Sequence, residues 1–118
     1  MNEKPRPLEI RLHQNSRRLE IKFDNGAQFS LSCEYLRVHS PSAEVRGHGA
    51  GQQALVAGKR DVNIEKIEAV GQYAVRLHFD DGHNSGIYSW ETLYDLAAGF
   101  ERNWREYLAR LAEAGEQR

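Results

Sequence analysis

Ile21-Lys22-Phe23-Asp24-Asn25-Gly26 and, 56 residues further on, Leu77-His78-Phe79-Asp80-Asp81-Gly82 follow one pattern. In each, apolar and polar residues alternate up to a phenylalanine, and an Asp-X-Gly turn follows. Period-two alternation puts one set of side chains on a core face and the other in water, as in an antiparallel sheet wetted on one side. The Asn/Asp-Gly pair supplies residues that tolerate the positive φ of a tight hairpin. These two stretches predict two hairpins, and the rest of the chain extends each of them.

Upstream, Leu8, Ile10 and Leu12 alternate with Glu9, Arg11 and His13, and Leu19 continues the row of Ile21 and Phe23. Downstream, Ala27, Phe29 and Leu31 alternate with Gln28, Ser30 and Ser32, completing a three-stranded meander. The second unit has a strand with a bulge over Val62 to Val70 and core-side Val75, Leu77 and Phe79. A short strand follows around Ser85 to Tyr88, with Ile87 matching Leu31. Each unit then enters a helix, at Glu34-Tyr35-Leu36 within Cys33 to His39 and, after a one-residue slip, at Glu91-Thr92-Leu93. Duplication or independent use of the same hairpin chemistry would each produce this match. Ser40-Pro41 has the residue types that restart a helix, serine as N-cap and proline at the first helical position.

Trp90, Leu93, Ala97, Phe100, Trp104, Tyr107 and Leu111 recur at alternating spacings of 3 and 4, an apolar stripe on a helix. Gly99 divides it into helices near 90–98 and 100–114. The stripe is too short for a coiled coil and is expected to pack on the sheet. The fold class is α+β: two antiparallel β-meander-plus-helix units forming one domain over 1–118, with the C-terminal helices on the sheet.

Composition narrows the function. The 118 residues carry 16 Lys+Arg and 17 Asp+Glu for a net charge of −1, without the basic excess of a nucleic-acid binder. No apolar run approaches the roughly 20 residues of a membrane helix, and no secretory signal is recognisable, so a cytoplasmic location is expected. One cysteine, Cys33, excludes an intramolecular disulfide framework; it reads as a small core residue, with a redox role as the weaker alternative.

Residues 47–58 hold four of the ten glycines, but Gly47-His48-Gly49-Ala50-Gly51 lacks the flanking strand and helix of a dinucleotide fingerprint. Gly58-Lys59-Arg60 is no P-loop, because Arg60 stands where a Ser or Thr would hold magnesium. His78 and Asp80 have the His-X-Asp spacing of non-haem iron sites, yet fall on the strand face opposite Leu77 and Phe79, toward solvent.

Leu36-Arg37-Val38-His39-Ser40-Pro41-Ser42-Ala43-Glu44-Val45, Gly58-Lys59-Arg60-Asp61-Val62 and the run Phe79 to Trp90 occur in this order. Together they resemble a family of small bacterial proteins of unknown function, named for likeness to the N-terminal domain of gamma-butyrobetaine hydroxylase. The resemblance spans about 8–98 and marks Arg37, Ser40, Pro41, Glu44, Gly82, His83 and Trp90 as its structural motif. It implies a β-rich module that precedes a catalytic domain holding iron and 2-oxoglutarate; residues 1–118 are expected to form the module alone, so hydroxylation is not carried over. It also implies a zinc site of three cysteines and a histidine, whose positions fall on Ser40, Ser42, Val45 and His83. Three of the four ligands are replaced, so His83 is expected to cross-link the Ser40-Pro41 segment by a hydrogen bond instead. Relatives fused to P-loop ATPases with iron–sulfur clusters imply an accessory role near iron metabolism.

The expectation is therefore a non-catalytic module binding an unidentified protein partner, a homodimer included, through a sheet edge, the Gly-rich loop or the C-terminal helices. No catalytic residue and no cofactor are expected. The alternative is an iron- or zinc-binding accessory protein using His39, His48, Asp81 and His83.

Overall fold

The alternating segments form strands where expected, and burial shows which side of each is dry. In chain order the described elements are β1 (Pro7–His13), β2 (Arg18–Phe23), β3 (Gln28–Ser32), α1 (Cys33–Val38), β4 (Ile64–Val70), β5 (Ala74–Phe79), β6 (Ile87–Ser89), α2 (Trp90–Ala98) and α3 (Phe100–Ala114). The structure, a computed structural model, describes residues 5–42 and 54–118. Glu44, Val45, His48 and most of the Gly-rich loop lie outside the described residues. Ser40 and Pro41 are non-helical, and the positions of the helix expected to follow them lie outside the described residues.

The strands make two antiparallel three-stranded sheets, ordered β1-β2-β3 and β4-β5-β6. Leu19 pairs with Leu31 and Ile21 with Phe29 in the first, Ile67 with Leu77 and Val75 with Tyr88 in the second. Both hairpin turns close alike. Gly26 and Gly82 each take φ +89°, where a side chain would be strained. Phe23 N donates to Ala27 O at 2.8 Å, and Phe79 N donates to His83 O at 3.0 Å.

One apolar cluster joins the units. Leu19, Ile21, Phe23, Tyr35, Leu36, Ile64, Leu77, Tyr88 and Leu93 are fully buried within it, with Leu31, Val75, Phe79 and Ala97 nearly so. Neither sheet has a dry face without the other, so the two meanders fold as one domain. Each unit enters its helix through a serine cap: Ser32 Oγ accepts from Tyr35 N, and Ser89 Oγ accepts from Thr92 N, both at 3.0 Å. The stripe behaves as expected, with Leu93, Ala97, Tyr107 and Leu111 buried and Gly99 at the break. Tyr35 anchors the helices to one another: its hydroxyl donates to Leu96 O at 2.5 Å and accepts from Asn103 Nδ2 at 3.0 Å.

Two expectations need correction. Leu8 is 66% exposed, because a register shift between Pro7 and Glu9 releases it from the β2 ladder. The short final strand is Ile87–Ser89, and Tyr88, not Ile87, is the buried counterpart of Leu31. The second connection is one residue longer, so the slip falls before β6 and reverses its faces. His78 lies on the solvent side of β5 as expected, where its Nε2 meets Glu68 Oε1 at 2.9 Å. The bulge expected in the Val62–Val70 region sits between Ile64 and Lys66, and the strand itself begins at Ile64.

Candidate functional site

The motif residues meet where the chain leaves α1 and where the β5–β6 connection passes beneath it. Ser40 Oγ lies 2.9 Å from His83 Nε2, and Ser42 Oγ lies 2.7 Å from Ser85 Oγ. Ser40, Ser42 and His83 are all buried, at 2%, 5% and 7% exposure. The Ser40 hydroxyl also accepts from Ser42 N at 3.3 Å and interacts with the Tyr88 phenol below it. Tyr88 donates its own proton to Leu36 O at 2.5 Å. The Ser40–His83 contact joins a hydroxyl to a ring nitrogen, and the imidazole tautomer decides which of them donates. Burial raises the Tyr88 pKa far above the usual phenol value, against the Ser40 hydrogen bond and Arg37, so its proton stays in place.

A second strand of interactions starts at Asp81. Its Oδ2 takes Arg37 Nε at 2.8 Å and Lys59 Nζ at 2.7 Å, and its Oδ1 accepts from His83 N at 3.0 Å. Burial opposes ionisation, but the hydrogen bonds from Lys59, His83 N and Arg37 outweigh it and hold the carboxyl at about 2. Arg37, Ser40, Asp81 and His83 thus form one connected group, built on the turn that Gly82 permits. Gly86 lets the two segments touch: a Cβ there would collide with Ser40 Oγ and come within 3.3 Å of Tyr88 Cε1.

The donor set does not fit the zinc implied by the resemblance. Serine hydroxyls are poor zinc ligands beside thiolates, and His83 Nε2 is already engaged with Ser40. Among the described residues no three His, Cys, Asp or Glu side chains are grouped to hold an ion. A serine within hydrogen-bond reach of a histidine is also the arrangement of an activated nucleophile. Here the hydroxyl is closed off from any acyl substrate at 2% exposure.

The remaining candidates are placed elsewhere. His39 leaves the group: Nδ1 donates to Tyr35 O at 3.0 Å, and the ring packs on Tyr35 and Tyr107. It lines a cavity of about 360 Å³ between α1, α2 and α3, where burial lowers its pKa and keeps it neutral. Trp90 opens α2 and donates Nε1–H to Gln72 O at 3.0 Å. Asp80 Oδ1 accepts from Asn63 N at 3.0 Å. Cys33 is fully buried, and desolvation raises its pKa, so its thiolate is disfavoured.

Sequence reasoning missed four participants. Lys59 was legible only as part of a Gly-Lys-Arg motif, and its ion pair reaches across 22 residues of chain. Ser85 and Gly86 carry no local signal beyond lying in the matched run. Glu34, 3% exposed, is paired by Arg118, whose Nε and Nη2 donate at 3.1 and 2.8 Å across 84 residues. Among the described residues no helix is long and apolar enough to cross a membrane.

Residues 10–94 match the family model "Gamma-butyrobetaine hydroxylase-like, N-terminal". No curated protein matches the chain. A protein solved in solution by NMR is 54% identical, with a TM-score of 0.85 over 100% of this chain and 88% of its own. A second NMR structure is 45% identical, with a TM-score of 0.86 over 98% and 91%. A crystal structure from Acidithiobacillus ferrooxidans ATCC 23270, of a DUF971-family protein of unknown function, is 42% identical with a TM-score of 0.66 over 79% and 93%. With the matched region covering most of its length, this chain belongs to the gamma-butyrobetaine hydroxylase-like N-terminal family.

Proposed function

We propose that this chain is a non-catalytic accessory domain that acts by binding a protein partner along its sheet edges. The observation that carries the reading is the state of those edges. Among the described residues each sheet has two edge strands, and one edge of each exposes a large apolar residue, Leu8 at 66% on β1 and Ile87 at 42% on β6. Open strand edges recruit further strands unless blocked, and an apolar side chain beside one adds to the contact. The polar groups of the motif support the same reading. His83, Ser40, Asp81 and Arg37 are spent on one another, which makes them a brace between α1 and β5–β6 rather than a reacting centre.

The test is photo-crosslinking in cells from a reactive side chain placed at Ile87, with one placed at Glu113 on the exposed side of α3 as control. The expected outcome is one defined protein captured from Ile87 and not from Glu113. Equal, unselective labelling from both positions would defeat the proposal. Metal analysis of protein purified without chelator tests the alternative: a stoichiometric ion lost on His83→Ala would favour metal binding.

A further inference from the structure

We propose that the outer edge of β1 is a self-association surface whose occupant is a second copy of this chain, paired antiparallel about Ile10. This deepens the edge-binding reading and rests on it. Its readout, association of the purified chain with itself, is separate from capture at Ile87.

The argument starts from the sequence of the strand. In the regular part of the strand, Glu9-Ile10-Arg11-Leu12-His13, antiparallel pairing about Ile10 sets Glu9 of one copy against Arg11 of the other. Because the pairing is two-fold, each contact occurs twice. Glu9 and Arg11 already form an ion pair within one strand at 2.9 Å. The dimer turns that pair into a ring of four alternating charges. A one-residue shift in either direction destroys this match, so the strand itself specifies the register.

Structure supplies three supports. Among the described residues β1 pairs only with β2, which leaves its other edge open. The strand is held at both ends: Gln14 Nε2 donates to Ile64 O at 3.1 Å, and the Arg6 guanidinium lies 5.4 Å from the centre of the Tyr73 ring. A fixed edge loses little freedom on pairing. Leu8, Glu9 and Arg11 stay exposed between those anchors, at 66% for Leu8 and 51% and 62% for the two charged side chains.

One strand pair buries less than the ~1,200–2,000 Å² of a standard interface, so association falls roughly in the 10–100 µM range. The experiment is sedimentation equilibrium over a concentration series reaching about 1 mM. Wild type is expected to show a monomer–dimer equilibrium. Glu9→Arg and Arg11→Glu each place like charges opposite one another and should weaken it at least about tenfold. The Glu9→Arg/Arg11→Glu double variant restores the ring with its signs reversed and should return the dimer to within about threefold of wild type. A chain monomeric at every concentration overturns the proposal. So does a dimer indifferent to the single charge changes, or one the double variant fails to restore.

Discussion

Gly86→Ala tests the brace between α1 and the β5–β6 connection, because two opposing effects predict opposite signs. Gly86 does not have positive φ, so alanine costs no backbone strain. At an open site the change would stabilise by about 0.4–1 kcal/mol through the unfolded chain. Here the new methyl lands on Ser40 Oγ, with Tyr88 Cε1 at 3.3 Å and Pro41 Cδ at 3.5 Å. Ser40 can yield only by rotating away from His83 Nε2 and Ser42 N, inside a site 2% exposed. Overpacking costs about 1–3 kcal/mol, and an orphaned buried donor costs about 1–3 kcal/mol more, with partial overlap. The expected loss is about 2–4 kcal/mol. For a domain of this size that lowers Tm by roughly 6–20 °C.

The assay is thermal and urea unfolding of wild type, Gly86→Ala, Ser40→Ala and the double variant. Removing the Ser40 hydroxyl opens space for the methyl, so Gly86→Ala should cost at least about 1 kcal/mol less in the Ser40→Ala background. A rise in Tm for Gly86→Ala, or additive losses in the double variant, would refute the close contact and with it the brace.

Three further outcomes follow from the same structure. Asp81 has a folded pKa of about 2, below its unfolded value, so its stabilisation is complete above about pH 4 and disappears as pH falls toward 2. Discounted for its partial exposure this amounts to about 1–2 kcal/mol. Asp81→Asn should flatten that part of the urea-midpoint profile between pH 5 and 2, and an unchanged profile would count against the Arg37–Asp81–Lys59 cluster. Arg118→Ala strips a buried Glu34 of its partner and should cost about 1–3 kcal/mol, less than a fully buried pair because Arg118 is 38% exposed. Glu34→Gln added to it should recover part of the loss in urea unfolding, and no recovery would count against the unpaired Glu34 carboxylate as the source of the cost. Phe79→Ala should cost about 3–5 kcal/mol while His78→Ala costs under about 1 kcal/mol; the reverse order in chemical denaturation would invert the β5 faces.

What was legible in the sequence follows from the range of the forces involved. Alternation is local, so β2, β3 and β5 and their buried rows at Leu19–Phe23 and Val75–Phe79 could be read directly. Helix periodicity and a lone Gly99 likewise marked the break between α2 and α3. The Ile87/Tyr88 exchange was not legible, because a single extra residue in a connection flips a strand's faces without altering its composition. Leu8 was misread for a similar reason: a bulge depends on the partner strand, here β2. In the site, a resemblance pointed to Ser40 and His83 as neighbours, and their contact at 2.9 Å agrees with it. The Lys59–Asp81 and Arg118–Glu34 pairs are set by tertiary packing alone, with no periodic or motif signal to announce them.

The serine-rich brace raises an energetic question that its own hydrogen bonds do not answer. A structural zinc contributes on the order of 10–16 kcal/mol to the folding of small metal-bound domains. Each neutral hydrogen bond contributes only about 0.5–1.5 kcal/mol net. Two serine contacts therefore cannot match what a metal would supply at these positions. The difference falls to the apolar core, which runs without interruption from Leu19 through Leu77 to Leu93 and places Tyr88 beneath the brace. A core shared by both sheets makes the fold independent of this one cross-link, whereas a metal-dependent domain comes apart without its ion. Incubation with excess EDTA at neutral pH should consequently leave Tm within about 1 °C, while Ser40→Ala lowers it by several degrees. A chelator-induced drop of about 5 °C or more, reversed by adding zinc or iron, would show that a metal and not the shared core holds these segments together.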